Sequence, residues 1–161
     1  DVIIIPDGGF RNQTTETSFI KREKGEGIIL SPLQLHLEGM DVFSFGISKA
    51  PSSVNLLMDT YNINKEEVDY FIFHQANLFM NEKIRKKLKL PIEKVPYSLK
   101  DFGNTSSASI PLTLVTQVNY RLNNDSLSHI ACGFGVGLSW GSVYFKTNKI
   151  TCLDLLEYDN L

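Results

Sequence analysis

The stretch Val68-Asp69-Tyr70-Phe71-Ile72-Phe73-His74-Gln75-Ala76-Asn77-Leu78 decides how this chain is read. Residues 68–73 are β-branched, aromatic and mostly apolar, the composition of a strand buried on both faces. The run stops at a titratable side chain, His74. Beyond it Met80, Ile84 and Leu88 recur every four residues, so residues 78–88 are expected to form a helix with those three inward. Lys83, Arg85, Lys86 and Lys87 then fall largely outward, and Pro91 stops the helix.

The same alternation extends in both directions. Upstream, Val54, Leu57, Met58 and Tyr61 keep the spacing of one buried helix face. Ser48 is placed to cap that helix, and Pro51 fits its first turn. Val42, Phe43 and Phe45 form a strand-like or mixed run before it. Residues 2–5 read as a buried strand end, 6–9 as a turn, and 11–27 as an exposed polar excursion before the short apolar run 28–30. Downstream, residues 95–99 suggest a short strand, and 103–109 a turn of small residues. Ile110, Leu114 and Val118 continue at helical spacing with Pro111 in the first turn, until Asn123-Asn124-Asp125 ends the helix. Residues 127–132 and 138–145 read as strands around a glycine-rich loop, and residues 147–161 as a tail without a clear element. Alternating strands and helices argue for an α/β layer structure with at least part of its sheet parallel.

Bulk properties narrow the function. A chain of 161 residues with 42% hydrophobic and 21% charged residues suits one ordinary globular core. Sixteen basic against 18 acidic residues give a net charge of -2, which does not pull the chain toward nucleic acid or an anionic membrane. No apolar stretch is long enough for a membrane helix. Cys132 and Cys152 lack metal-ligand spacing and are too few for a disulfide framework, so reduced thiols in a cytoplasmic protein are expected. The chain opens at Asp1 directly before the strand-like Val2-Ile3-Ile4-Ile5, and a cut from a longer protein is expected.

In open α/β sheets, ligands collect beyond the carboxyl ends of strands. His74, Asn104 and the loop of Gly133, Gly135 and Gly137 are all expected at such ends. Singly each has a plain structural reading: a hydrogen-bonded histidine, a turn asparagine, a tight connection. Together they could converge on one pocket. Cys132 sits in an apolar strand and reads as an inert thiol. His36 and His129 have no cysteine or carboxylate at ligand spacing, so no metal site is expected. The glycine run is not a dinucleotide fingerprint, because Leu138-Ser139-Trp140 continues as a strand rather than a helix.

At these positions the sequence resembles the β-ketoacyl-acyl-carrier-protein synthase III family. His74-Gln75-Ala76-Asn77 resembles that family's histidine motif, and Gly103-Asn104-Thr105-Ser106-Ser107-Ala108-Ser109-Ile110-Pro111 its asparagine motif. Gly133-Phe134-Gly135-Val136-Gly137-Leu138-Ser139-Trp140-Gly141-Ser142 resembles its C-terminal glycine loop. The runs Leu37-Glu38-Gly39-Met40-Asp41-Val42-Phe43 and Ile4-Ile5-Pro6-Asp7-Gly8-Gly9-Phe10-Arg11 are similar as well, so the likeness covers nearly everything but the tail.

The resemblance implies the C-terminal half of a thiolase-like α/β fold, with a mixed five-stranded sheet and helices on its faces. That half would span residues 1–161, with 1–39 a partly irregular lead-in and 147–161 a tail; the N-terminal half with the nucleophilic cysteine would be absent. It implies an acyltransferase that condenses an acyl thioester with a malonyl thioester, with loss of carbon dioxide, in fatty-acid or related biosynthesis. His74 and Asn104 would be the catalytic donors to the enolate oxygen. Asn77, Gly39, Phe43 and Val136 match positions that line the pantetheine arm or acyl pocket, and Val136 stands where the family usually has glycine. Phe79 stands where many members carry an arginine for docking the acidic carrier protein, so Arg85, Lys86 and Lys87 are the candidates for that steering. No cofactor is expected beyond coenzyme A or phosphopantetheine thioesters as substrates. The expected partners are acyl carrier protein or coenzyme A thioesters and a second copy in a full-length homodimer, with neither nucleic acid nor membrane. The isolated chain is expected to be inactive. A non-decarboxylating acyltransferase of the same superfamily, or a non-catalytic carrier-binding half, are the competing readings.

Overall fold

A computed structural model describes residues 2–156. The domain bounds given above reach Asp1 and residues 157–161, which lie outside the described residues. Two compact units are distinguished: residues up to Phe45 together with Val136–Leu138, and Gly46–Gly135 together with the residues from Ser139 onward.

The first unit is built from short ladders. Strands β1 (Ile3–Ile4) and β4 (His36–Leu37) pair antiparallel, as do β2 (Arg22–Glu23) and β3 (Ile29–Leu30). Two-residue ladders bury little apolar surface, and polar contacts hold the connections instead. Ser18 is fully buried; its hydroxyl donates to Asp7 Oδ2 at 2.7 Å and accepts from the Thr15 amide at 3.0 Å. The excursion over residues 11–27 is largely exposed, as the sequence suggests.

Helix α1 (Gly39–Tyr61) gives its first residues to that unit and the remainder, from Gly46, to the second. Residues 42–45 are therefore helical, not strand-like, and Ser48 is no cap. Pro51 lies in the helix interior rather than its first turn. A proline there has no N–H to offer the carbonyl four residues back, which is that of Ile47. The Lys87 ammonium donates to that carbonyl instead, at 3.2 Å. The inward face is also shifted: Gly46, Ala50, Pro51 and Val54 are buried, whereas Tyr61 is 70% exposed.

The core of the second unit is a three-stranded sheet in the order β5 (Tyr70–Phe73), β6 (Ser126–Gly135), β7 (Ser139–Asn148). β5 and β6 run parallel, from Tyr70 opposite His129 to Phe73 opposite Cys132. β6 and β7 run antiparallel from Ser126 opposite Asn148 to Gly135 opposite Ser139. The sheet is thus mixed, as expected, but it has three strands among the described residues, not five. Residues 95–99 form no strand. Pro96 cannot donate to a ladder, the Ser98 amide donates to Gln75 Oε1 at 3.2 Å, and Leu99 already begins α3 (Leu99–Phe102).

β6 is covered on both faces, which explains its long buried stretch. Cys132 and Phe134 face α1: the Cys132 thiol lies 3.9 Å from the Ala50 carbonyl, and a Cβ on Gly46 would sit 3.2 Å from Phe134. Leu127 faces the other way, against Val118 and Leu122. Those two residues belong to a helical run of α4 (Ser109–Thr113), a π turn (Leu114–Val118) and α5 (Asn119–Asn124). α2 (Leu78–Lys87) buries Met80 and Ile84, with Leu88 buried at its end. The residues read as a tail begin inside β7, which continues through Asn148. Farther on, Asn123 bonds both the N–H and the carbonyl of Cys152.

Candidate functional site

His74 directly follows β5. Its backbone N–H continues the parallel ladder onto the Cys132 carbonyl at 2.9 Å, and its carbonyl accepts from Asn81 Nδ2 at 3.1 Å. Both main-chain groups are therefore held by fully buried partners, since Asn81 and Cys132 are each 0% exposed. The ring is held as firmly. Nδ1 lies 2.8 Å from Ser109 Oγ, and Phe134 stands edge-on at 5.4 Å with an 80° interplanar angle. Burial lowers the imidazole pKa below its ordinary value of 6.5, and the nearby Ser106 backbone opposes that shift less strongly, so the neutral ring is favoured.

Asn104 does not follow a strand. It sits between α3 and the 3₁₀ turn Ser106–Ala108 that leads into α4. Gly103 has φ 62° and ψ -149°, a region open essentially to glycine alone, and Ser106 has φ 53°. These two bends aim the residue between them. The Asn104 carboxamide oxygen accepts from the Ser106 amide at 2.9 Å, which orients the side chain with its NH2 donors directed elsewhere. The same segment continues to Ser109, whose hydroxyl lies 2.8 Å from the His74 ring, so residues 106–109 connect the two predicted donors.

A buried polar network, not visible as a motif, supports this pair. Gln75 is 0% exposed; its Nε2 donates to the Phe73 carbonyl at 2.8 Å and its Oε1 receives the Ser98 amide. Ser98 Oγ lies 2.8 Å from Thr113 Oγ1, which donates to the Ser109 carbonyl at 2.8 Å. A hydroxyl has one proton, so Ser98 must be the donor to Thr113. Ser98, Ser109 and Thr113 are each at most 1% exposed. Their polar character in a core was the one available sequence signal, and without burial it could not be told from turn composition.

The glycine run is placed differently from expectation. Gly133 and Gly135 lie within β6, and the loop proper is Val136-Gly137-Leu138. Gly137 and Leu138 have φ of 77° and 49°, which closes a three-residue hairpin. Val136 is 72% exposed. Gly39 opens α1 and Phe43 lies one turn on; with Val136 these belong to the first unit. Asn77 caps α2, its side-chain oxygen accepting the Met80 amide at 2.8 Å.

The three basic candidates differ sharply. Arg85 folds onto its own helix: Nε and Nη2 each reach Glu82 at 2.8 Å, and Nη1 donates to the Leu90 carbonyl at 2.7 Å. This pairing, with Tyr97 donating to Glu82, holds the Glu82 carboxyl down to about 2. Lys87 is engaged with the Ile47 carbonyl. Lys86 pairs only loosely with Glu82, at 3.9 Å, and keeps 69% of its side chain exposed. At Phe79 the Lys83 ammonium sits 5.3 Å above the ring.

Neither cysteine is placed as a nucleophile. Cys132 is the ladder partner of Phe73, but its thiol is turned toward α1, and burial pushes its pKa up to about 11. Cys152 packs against the Val118, Leu122 and Leu127 cluster. Among the described residues no helix is long and apolar enough to cross a membrane.

Residues 58–147 match the family model described as 3-oxoacyl-[acyl-carrier-protein (ACP)] synthase III C terminal. The chain is 38% identical over 115 residues to a β-ketoacyl-[acyl-carrier-protein] synthase III of Halalkalibacterium halodurans, covering 71% of this chain and 37% of that protein. It is 34% identical over 145 residues to the corresponding protein of Trichodesmium erythraeum, covering 87% of this chain and 44% of that one. The crystal structure of a 3-oxoacyl-(acyl-carrier protein) synthase from Burkholderia xenovorans superposes with a TM-score of 0.82 at 37% identity, covering 95% of this chain and 42% of the other. The chain therefore spans less than half the length of these relatives.

Proposed function

The chain belongs to the 3-oxoacyl-[acyl-carrier-protein] synthase III family as its C-terminal, thiolase-like α/β part, and from that premise we propose that it carries the enolate-stabilising side of a decarboxylating condensing site. The observation that carries this reading is that one short segment serves both side chains: the Ser106 amide orients the Asn104 carboxamide, and Ser109, three residues on, meets the His74 ring at 2.8 Å.

In the proposed reaction the bond between the malonyl methylene and its carboxylate breaks. Carbon dioxide leaves, and the electron pair moves into an enolate whose charge rests on the thioester oxygen. The His74 ring N–H and an Asn104 N–H donate to that oxygen. Donors fixed in advance stabilise this charge without reorganising during the reaction. The enolate carbon then attacks an acyl group carried as a thioester on a cysteine. Collapse of the adduct expels that cysteine as thiolate and leaves the 3-oxoacyl thioester. Cys132 cannot serve as this acyl carrier, so the reading places the nucleophile on a segment outside this chain.

Under the same reading, acyl carrier protein or coenzyme A thioesters are the substrates, in fatty-acid or related acyl-chain biosynthesis in the cytoplasm. The full-length protein works as a homodimer. By the resemblance, Asn77 in the second unit and, separately, Gly39, Phe43 and Val136 in the first are proposed to contact the pantetheine arm or the acyl chain. Of the three basic candidates, Lys86 is the one best placed to steer an acidic carrier, because its 3.9 Å pairing with Glu82 leaves it mostly exposed while Arg85 and Lys87 make close hydrogen bonds within the chain. The isolated 161-residue chain is inactive.

The test uses the full-length protein and measures carbon dioxide release from malonyl thioester separately from acyl loading. His74→Ala and Asn104→Ala are each expected to slow release by about a hundredfold to a thousandfold, with loading retained. Undiminished release in His74→Ala would sink the assignment. A wild-type protein that loads acyl groups but releases no carbon dioxide would point to a non-decarboxylating acyltransferase.

A further inference from the structure

We infer that Ser109 is a positioning residue: its hydroxyl donates to His74 Nδ1 and thereby holds the ring proton on Nε2. The inference rests on the proposed role of His74 as a hydrogen-bond donor and names what makes it one.

The argument is an accounting of protons. Ser109 is 1% exposed. Among the described residues its hydroxyl has two partners, His74 Nδ1 at 2.8 Å and the Gln75 amide N–H at 3.3 Å. The amide can only donate, so it takes an oxygen lone pair. Nδ1 is then the one acceptor within reach of the hydroxyl proton. Were Nδ1 itself protonated, two donors would point at Ser109 Oγ and its own buried proton would have no acceptor. Leaving a buried polar group unsatisfied costs more than an ordinary hydrogen bond contributes. The arrangement with every group satisfied is Ser109 Oγ–H donating to an unprotonated Nδ1. A neutral imidazole then carries its proton on Nε2.

Neither partner is free to drift. The Ser109 amide donates to the Ser106 carbonyl, and the Ser109 carbonyl accepts from Thr113, itself bonded to Ser98. His74 is pinned at both main-chain groups and packed by Phe134. The serine therefore sets a tautomer through a fixed geometry, much as a second group orients the histidine in nucleophile–base pairs.

The experiment is performed on full-length protein with ¹⁵N-labelled histidine, above pH 7. The wild-type His74 resonances are expected to show a protonated Nε2 and an unprotonated Nδ1. A proton on Nδ1 overturns the inference outright, whatever the variants do. Ser109→Ala is expected to shift the tautomer balance and to lower kcat for malonyl decarboxylation by about tenfold, the worth of one hydrogen bond, with KM and acyl loading unchanged. Ser109→Thr keeps the hydroxyl and is expected to restore both signals. Should Ser109→Ala fail to fold, the wild-type spectrum and the threonine variant still decide. Unchanged kcat and spectrum in Ser109→Ala, alongside a dead His74→Ala, defeats this inference and leaves the condensing role standing. Full activity in His74→Ala defeats the condensing role instead.

Discussion

Lys87 offers a sharp test of how the two helices are joined. Pro51 deprives the Ile47 carbonyl of its helical partner, and the Lys87 ammonium supplies one from α2 at 3.2 Å. Replacing Lys87 with Met keeps the apolar stem and removes the donor. The contact is solvent-exposed, so its worth falls below the usual range for a charged hydrogen bond, to about 0.5–1.5 kcal/mol. Pro51→Ala restores an N–H at the right position and should return the Ile47 carbonyl to the helix. In that background Lys87→Met should cost almost nothing. The double-mutant cycle is therefore expected to show a coupling of about 1 kcal/mol between residues 51 and 87, read from equilibrium urea unfolding of the four variants. The cycle cancels the separate effects of losing the proline ring and of improved helix propensity. Equal losses for Lys87→Met in both backgrounds would refute the reasoning and return Lys87 to the pool of surface cations available for docking.

Three further outcomes are expected. Gly46→Ala places a Cβ 2.7 Å from Met80 Sδ and 3.2 Å from the Phe134 ring; overpacking should cost about 1–3 kcal/mol in stability, and because Phe134 leans on His74 the His74 ¹⁵N or ring-proton shifts should move as well. His129 is stacked between Tyr70 and Phe145, bonds Thr147, and has its pKa lowered by burial, with the Asp69 charge opposing. The unfolded chain then binds the proton more readily, so stability is full above the ordinary value of 6.5 and falls as pH drops through and below it; His129→Phe should flatten that acid slope in thermal melts, and an unchanged slope would count against it. Cys132, buried and with its pKa raised to about 11, should resist alkylation by iodoacetamide at pH 7 until the protein unfolds, as read by mass spectrometry.

Much of the architecture was legible because burial imposes a period. Residues 68–73, 78–88 and 127–132 carry patterns that only a covered strand or an amphipathic helix explains, and β5, α2 and β6 lie where those patterns fall. Misreadings came where a local rule was satisfied from a distance. Pro51 marks a helix start by propensity, yet α1 runs from Gly39 through it with Lys87 bonded to the orphaned carbonyl. Val95 looks strand-like, but Pro96 and the Ser98–Gln75 bond take that segment out of the ladder.

The site divides along the same line. The sequence by itself determined the chemical types: a histidine closing a buried strand, an asparagine in a turn of small residues after Gly103, and two cysteines poorly suited to nucleophilic work. Only the structure decided that the Ser106 amide orients Asn104, that Ser109 faces His74 Nδ1, and that Arg85 is spent on Glu82. The reason is physical. Periodicity records which side chains leave water, a property summed along one segment. A hydrogen bond records which two atoms meet, and His74 and Ser109, 35 residues apart in sequence, meet only when folding brings them to 2.8 Å.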